Sequence, residues 1–485
     1  MKKYFFGIDV GTQGVRVVLV DQDGEIAGSS EKSFPLTESS REEQSPELWW
    51  ESCLECLRKI VDFVQKDVDL NTILAISVTS TSGTVIPIDE NNQPLHHALM
   101  YSDTRPALEG KHCREVAKKF HPTGYTGFNA SSGLSKMVWF ANNFPETTHR
   151  IKTWIHAADY ITGKLSGDFG TTDYTNALKS GFDVNNGHWP DYLWTQLSLK
   201  KQWFQKVVPS GSVVGALLPA LQEKFKLPAL FVVAGMTDGC ASQVASGAVN
   251  PGNWNTTIGT TLVVKGVTTK ELKDPEGRLY SHRHPEGYWM PGGAGNIGAD
   301  WITAGFSSDL EALNQKASRL IPTNHMAYPL LQKGERFPFI APQAHGFAPE
   351  NISREELFTA NMEGVAYIER YAYALIEKLA HEKVNAVYTA GGGSNSDVWL
   401  KIRSNVLNKP VYKCATVTGA VGAAILAASH THFKSLTEAA SAMTHIEKAV
   451  FPSETLVNAY ESRYQQFVST LIEKEYIFEK INQSK

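Results

Sequence analysis

The first thirty residues alternate apolar strands with glycine-bearing turns. YFFGID runs into Val10-Gly11-Thr12-Gln13-Gly14, then VRVVLVD, the turn Gln22-Asp23-Gly24, and EIAGSS. This pattern predicts a β-meander. Ser45-Pro46-Glu47 has the form of a helix start, with Ser as N-cap and Pro at the first helical position. Trp50, Leu54, Leu57, Ile60, Val61 and Val64 then recur at the spacing of one amphipathic face. A short strand is predicted over 73–78, with a loop over 79–84 that opens into residues 85–89. The second half repeats the theme. GNWNTTIGTTLVVKGVT at 252–268 reads as strand, Gly-Thr turn, strand, and an apolar strand over 384–390 leads into Gly391-Gly392-Gly393-Ser394-Asn395 and a helix from Asp397. Each half thus carries a glycine-turn hairpin and, later, a strand ending in a small-residue loop. Two related α/β lobes facing a cleft are the simplest architecture for this order. The expected division is 1–246, 247–427 and a helical segment 428–485, in which Leu456, Tyr460, Tyr464, Phe467 and Leu471 keep helical spacing and pack back onto a lobe.

Composition narrows the class. The chain has 485 residues, with 46 Lys+Arg against 50 Asp+Glu, a net charge of −4. A hydrophobic fraction of 42% with 20% charged residues describes an ordinary globular protein of two or more domains. Without a basic stripe or tail there is no electrostatic footprint for nucleic acid. The five cysteines, Cys53, Cys56, Cys113, Cys240 and Cys414, are too sparse for a disulfide framework and suit a reducing compartment. Cys53 and Cys56 form a CxxC inside a helical pattern and read as core. Only a few apolar residues precede Asp9, and the apolar run at 420–428 is far short of a membrane span. The expectation is a soluble cytoplasmic protein, monomer or homodimer. His282 and His284 have metal-like spacing but are read as part of a surface hairpin, and the eleven tryptophans as packing residues.

Four segments could carry chemistry. Asp9 ends an apolar strand just before Gly11-Thr12-Gln13-Gly14. Such a carboxylate can hold Mg²⁺, and such a turn can offer N–H groups to phosphate; it can equally be a capped hairpin turn. In Ala234-Gly235-Met236-Thr237-Asp238-Gly239, following the apolar stretch 230–233, Asp238 is placed either to act as a general base or to cap the next helix. Gly259-Thr260-Thr261 offers N–H and hydroxyl donors for a second phosphate contact. Gly391-Gly392-Gly393 lacks side chains that would keep a flat base or ribose at a distance. There is no GxxxxGK[ST] segment and no GxGxxG after a strand, so neither a P-loop nor a dinucleotide fold is supported.

Taken in order, GIDVGTQGVRVVLVD, AGMTDG, NTTIGTTLVV, KGERFP and TAGGGSNSDVWLKI resemble the FGGY family of carbohydrate kinases, within the superfamily of sugar kinases, heat-shock chaperone ATPases and actin. SPELWW, Tyr101-Ser-Asp-Thr-Arg105, Lys136-x-x-Trp139 and DYITGKLSGDFGTTDYTNAL fill the gaps, so the likeness spans the chain. The resemblance implies an α/β fold of two ribonuclease H-like lobes, sugar held mainly by the first and ATP by the second. It implies Asp238 as the general base, Asp9 as the Mg²⁺-associated carboxylate, Thr12, Gln13 and Gly14 as the first phosphate turn and Gly259, Thr260 and Thr261 as the second. Gly392, Gly393, Ser396 and Trp399 match the segment that contacts adenosine. One departure stands at Thr418, where the family often carries a Glu.

The acceptor is read from the loop Thr79-Ser80-Thr81-Ser82-Gly83-Thr84. Xylulose kinases of the family resemble Gln-Met-His-Gly there. Without an imidazole, the sugar must be met by hydroxyl and backbone groups. The TSGTV form, with DYTNALKSGF and YSHRHPEGYW, resembles the D-ribulose kinases of cyanobacteria and plants, which are xylulose kinase-like. The resemblance then implies Ser82, Gly83 and Asp238 as sugar contacts, with Thr12 and Gly14 near the distal hydroxyls; Asp103 and Arg105 resemble the family's sugar-side pair. The alternatives are D-xylulose kinase and, in a different class, a non-catalytic actin-like or chaperone-like ATP switch.

Overall fold

The opening meander forms as its pattern predicts in the computed structural model, which describes residues 1–479 and 481. Strand β1 (Tyr4–Gly11) pairs antiparallel with β2 (Gly14–Asp21), and β2 with β3 (Ile26–Ser33). Strand β4 (Ile73–Ser80) then adds parallel to β1. β5 (Val213–Ala216) and β6 (Phe231–Thr237) complete a six-stranded sheet in the order β5-β6-β4-β1-β2-β3, with β6 parallel to β4. Parallel neighbours end together, so the C-terminal ends of β1, β4 and β6 carry Asp9, the 80–84 loop and Asp238 to one end of the sheet.

The helix Pro46–Val64 begins on Ser45, whose side chain accepts a hydrogen bond from the Leu48 N–H, with Pro46 in the first turn. Its buried face keeps the expected Leu57, Ile60, Val61 and Val64 but turns toward Trp49 and Cys53 in the first half. Trp49, Cys53, Cys56, Leu57, Ile60, Val61 and Val64 are buried, whereas Trp50 and Leu54 are only partly covered. Both cysteines are therefore core residues.

The second sheet repeats the first. β7 (Asn253–Ile258) pairs antiparallel with β8 (Leu262–Gly266). With β9 (Tyr280–Arg283), β10 (Trp289–Ala294), β11 (Ala386–Ala390), β12 (Val411–Cys414) and β13 (Ile446–Val450), the order is β9-β10-β8-β7-β11-β12-β13. β11 lies parallel to β7, and β12 parallel to β11. Each sheet thus joins an antiparallel hairpin to parallel strands and ends in one further antiparallel strand, β5 in the first and β13 in the second.

The chain divides into two compact units. The first is Met1–Ala245, His282–Gly287 and Thr416–Thr444; the second is Ser246–Ser281, Tyr288–Ala415 and His445–Lys485. Of the segments 247–427 and 428–485 expected above, residues 416–444 pack with the first unit. The reason is packing. The helix Gly419–Ser429, buried along its whole length, lies against β1 and the helix Asp238–Ala245. A Cβ on Gly7 would fall 1.9 Å from the Ala420 carbonyl oxygen, and one on Gly422 would fall 1.9 Å from that of Ala241. Only glycine permits these approaches.

In the second unit, the helix Glu454–Glu473 packs on the helix Arg354–Ala380, burying Tyr460, Tyr464, Phe467 and Leu471. Tyr460 donates to Glu363 Oε1 across 2.9 Å. Arg403 forms a fully buried two-pronged ion pair with Glu369, 2.7 Å at each contact, and donates to Thr389 Oγ1 on β11. This anchors the helix Asp397–Leu407 behind the glycine-rich loop. His282 and His284, which belong to the first unit, are buried, so they are not surface residues as expected.

Candidate active site

Asp9 lies near the end of β1, opposite Arg16 in the hairpin register. Its Oδ1 is buried and has no hydrogen-bond partner among the described residues. Burial, followed by the negative charge of Asp238, pushes its pKa up to about 7, against a smaller pull from Arg16. A second carboxylate nearby disfavours ionisation of the first, and a cation bound between them would favour it. Asp9 also faces the start of the helix Gly419–Ser429, where a Cβ on Gly419 would sit 2.6 Å from Asp9 Oδ2. Thr418 is the N-cap of that helix, its side chain accepting from the Val421 N–H. The residue at the family's Glu position is thus a cap beside Asp9.

Asp238 opens the helix Asp238–Ala245 directly after β6, and its Oδ1 accepts from the Gly239 N–H across 2.7 Å. The strand before it is irregular. Its register against β4 shifts between Val233 and Met236, where a Cβ on Gly235 would meet the Val78 carbonyl oxygen at 1.7 Å.

The turn Thr12–Gly14 is held from outside. The Thr12 carbonyl accepts from Gln44 Nε2 at 2.9 Å, and the Gln13 carbonyl accepts from the Phe34 N–H at 2.7 Å. A Cβ on Gly14 would lie 2.5 Å from the Lys32 carbonyl oxygen, so this glycine serves the approach of β2 to β3. In the loop after β4, Gly83 has φ +88° and a Cβ there would meet the Ser131 carbonyl oxygen at 2.2 Å; its role is conformational. Ser82 Oγ is buried without a hydrogen-bond partner among the described residues, while Thr81 and Thr84 bond to each other. Asp103 and Arg105 are joined to one another. Arg105 donates to both oxygens of Asp103 and to Glu43 Oε1 (2.8 Å), and its guanidinium lies 4.6 Å from the centre of the Trp139 ring.

In the second unit, Gly259, Thr260 and Thr261 form the β7–β8 turn. The Gly259 carbonyl accepts from the Ala299 N–H at 2.7 Å, next to Asp300, a half-buried carboxylate that sequence reasoning missed. No atom lies within 4 Å of where a Cβ on Gly259 or Gly392 would project, so both glycines border open space. Gly393 instead packs on Ile258. Ser396 caps the helix Asp397–Leu407 by accepting from the Trp399 N–H, and its hydroxyl also bonds to Asn314 Oδ1. Beside it, Asn314, Gln315, Ser318, Asp397, Val398 and Lys401 line a cavity of about 330 Å³. Trp399 does not reach it. Its ring is 1% exposed, donates to the Met362 carbonyl and packs on Trp301, so the expected adenosine contact is corrected to a core residue.

The family model described as the FGGY family of carbohydrate kinases matches with its N-terminal domain over residues 4–245 and its C-terminal domain over 254–431. A xylulose kinase of Bacillus subtilis is 26% identical, with 96% of each chain covered. A gluconokinase of the same organism is 26% identical over 98% of this chain and 97% of that one. A crystal structure of xylulose kinase from Rhodospirillum rubrum matches with a TM-score of 0.86 at 22% identity, covering 98% of this chain and all of the other. That likeness carries the two-domain α/β fold with ribonuclease H-like sheets. On the family match, the chain belongs to the FGGY family of carbohydrate kinases and is an ATP-dependent sugar kinase.

Proposed function

We propose that this chain transfers the γ-phosphoryl group of ATP to a hydroxyl of a ketopentose, D-ribulose being the preferred acceptor and D-ribulose 5-phosphate the product. The observation that carries the reading is the meeting of Asp9, Asp238 and the Ser82 loop at one sheet end of the first unit. Phosphoryl transfer asks for positioning, charge neutralisation and an acceptor for the hydroxyl proton. Asp238 takes the proton of the attacking hydroxyl. Ser82, with its buried and unpartnered oxygen, reads one sugar hydroxyl.

Asp9 fits magnesium. It is an oxygen donor with one buried atom unused by the protein. No group of three or more His, Cys, Asp or Glu side chains suited to a metal occurs among the described residues. A single carboxylate suits an ion that keeps most of its water and leans on substrate phosphates. When bound, Mg²⁺ supplies charge neutralisation at those phosphates. Thr12, Gln13 and Gly14 in the first unit, and Gly259, Thr260 and Thr261 in the second, are the phosphate-contacting turns. Gly392 and Ser396, with the cavity beside Asn314, take adenosine.

A second reading, D-xylulose as acceptor, is favoured by the names of the relatives. An ADP-release assay over D-ribulose, D-xylulose, L-ribulose, ribitol, gluconate and glycerol separates the two. Highest kcat/KM on D-ribulose supports the proposal; highest on D-xylulose selects the second reading, and highest on another acceptor contradicts both.

A further inference from the structure

We propose that Thr175 is a positioning residue for Asp238, an inference that rests on reading Asp238 as the base. Thr237, the last residue of β6, precedes Asp238, and its N–H lies ahead of the helix, outside the intrahelical bonding pattern. That N–H donates to Thr175 Oγ1 across 2.8 Å. The Thr175 hydroxyl in turn donates to Asp173 Oδ1 across 2.7 Å.

The direction of this chain is set by Asp173. Four donors converge on its fully buried carboxylate: the Thr175 N–H (2.7 Å), the Thr175 hydroxyl, the Ser210 hydroxyl (2.9 Å) and Asn176 Nδ2 (2.5 Å). Burial pushes its pKa up and these donors oppose that, while the Thr237 N–H can only donate. The Thr175 proton is therefore committed to Asp173, which leaves the hydroxyl oxygen to accept from Thr237. On the opposite side, Thr79 Oγ1 donates to the Met236 carbonyl at 2.8 Å.

The tether stands where the fold needs one. The register of β6 against β4 shifts between Val233 and Met236 and resumes with Met236 opposite Thr79 and Thr237 opposite Ser80, so only two paired residues separate the irregularity from Asp238. Thr175 adds a second hold on that short stretch, one peptide before Asp238. A small displacement of a catalytic group is enough to slow a reaction about a hundredfold.

The test is a mutant cycle on the full chain, with ATP and the best acceptor of the sugar panel. Thr175→Val keeps the side-chain shape and removes the hydroxyl; it should lower kcat about tenfold or more, with both KM values within about threefold. Thr175→Ser keeps the hydroxyl and should stay within about threefold of wild type. In an Asp238→Asn background, Thr175→Val should lower the residual kcat no further, because the group it positions is gone. A general structural role would lower it again. If valine is not tolerated beside Asp173, the serine variant still decides: wild-type-like turnover supports the proposal, and a tenfold loss overturns it. A Thr175→Val enzyme within about twofold of wild type, while Asp238→Asn is disabled, overturns the positioning role and leaves the base intact. An active Asp238→Asn enzyme instead overturns the base reading, and this inference with it.

Discussion

Asp9 stands directly against Gly419: a Cβ added to that glycine would lie 2.6 Å from Asp9 Oδ2 and 2.8 Å from its Cγ. The carboxylate is thus seated on the first turn of the helix Gly419–Ser429, where the N-terminal end of the helix dipole favours negative charge. It explains why a segment more than four hundred residues away in sequence belongs to the same unit as β1. Gly419→Ala should push the Asp9 side chain aside. We expect kcat to fall about tenfold or more and the Mg²⁺ requirement to rise, with a thermal midpoint near that of wild type. A metal titration that coincides with wild type would contradict the role given to Asp9.

On the proposed reading, sugar choice turns on Ser82. D-ribulose and D-xylulose differ in configuration at C3, so discrimination comes from one hydroxyl finding or missing its partner. A mispaired polar group costs on the order of 1–3 kcal/mol, or roughly 5- to 150-fold in kcat/KM. Ser82→Ala should reduce D-ribulose turnover more than D-xylulose turnover and narrow their ratio. An unchanged ratio removes Ser82 from the account of specificity.

Trp399 predicts a stability effect. With its ring in the core of the second unit, Trp399→Ala should destabilise by about 3–5 kcal/mol, as large-to-small core changes do. Trp399→Phe should leave the KM for ATP within about twofold. Denaturant unfolding and ATP kinetics on the two variants check both halves.

Glu363 predicts a pH dependence. Burial raises its pKa from 4.5 to about 8, with the Thr323 N–H, Tyr460 and Arg463 opposing. The folded chain keeps this proton where the unfolded chain has released it. The native state binds more protons in that window, so stability falls as pH rises from about 4.5 to about 8. Glu363→Gln removes the ionisation and keeps an oxygen for the Thr323 N–H and Tyr460. The midpoint of the variant should gain on wild type across that window and hold its lead above it. A constant difference between the two melting curves at every pH would contradict this.

The hairpins, the helix start at Ser45-Pro46 and the glycine-rich loop were legible in the sequence because each depends on local chemistry: glycine turns, a cap, a proline. Asp9 and Asp238 were legible as candidates because each ends an apolar strand. Three features were not. The first half of Pro46–Val64 buries Trp49 and Cys53 rather than Trp50 and Leu54, since adjacent Trp49 and Trp50 leave the stripe ambiguous there. The position of Gly419–Ser429 depends on glycines and alanines that permit close approach without naming a partner. Thr175 meets Thr237 across 62 residues through a single hydroxyl, and no periodicity encodes that contact. Asp-Tyr-Thr at the start of a short helix reads as a local cap, which Asp173 also is.

The central claim is that Asp238 removes the proton from the attacking sugar hydroxyl, and the most direct measurement is the turnover of Asp238→Asn. The substitution keeps the size and the Gly239 hydrogen bond and removes the base. With ATP and D-ribulose saturating, kcat should fall by about 10²–10⁴ while binding of both substrates is nearly unchanged. Retention of more than half the wild-type turnover would make Asp238 a helix-terminal residue and nothing more.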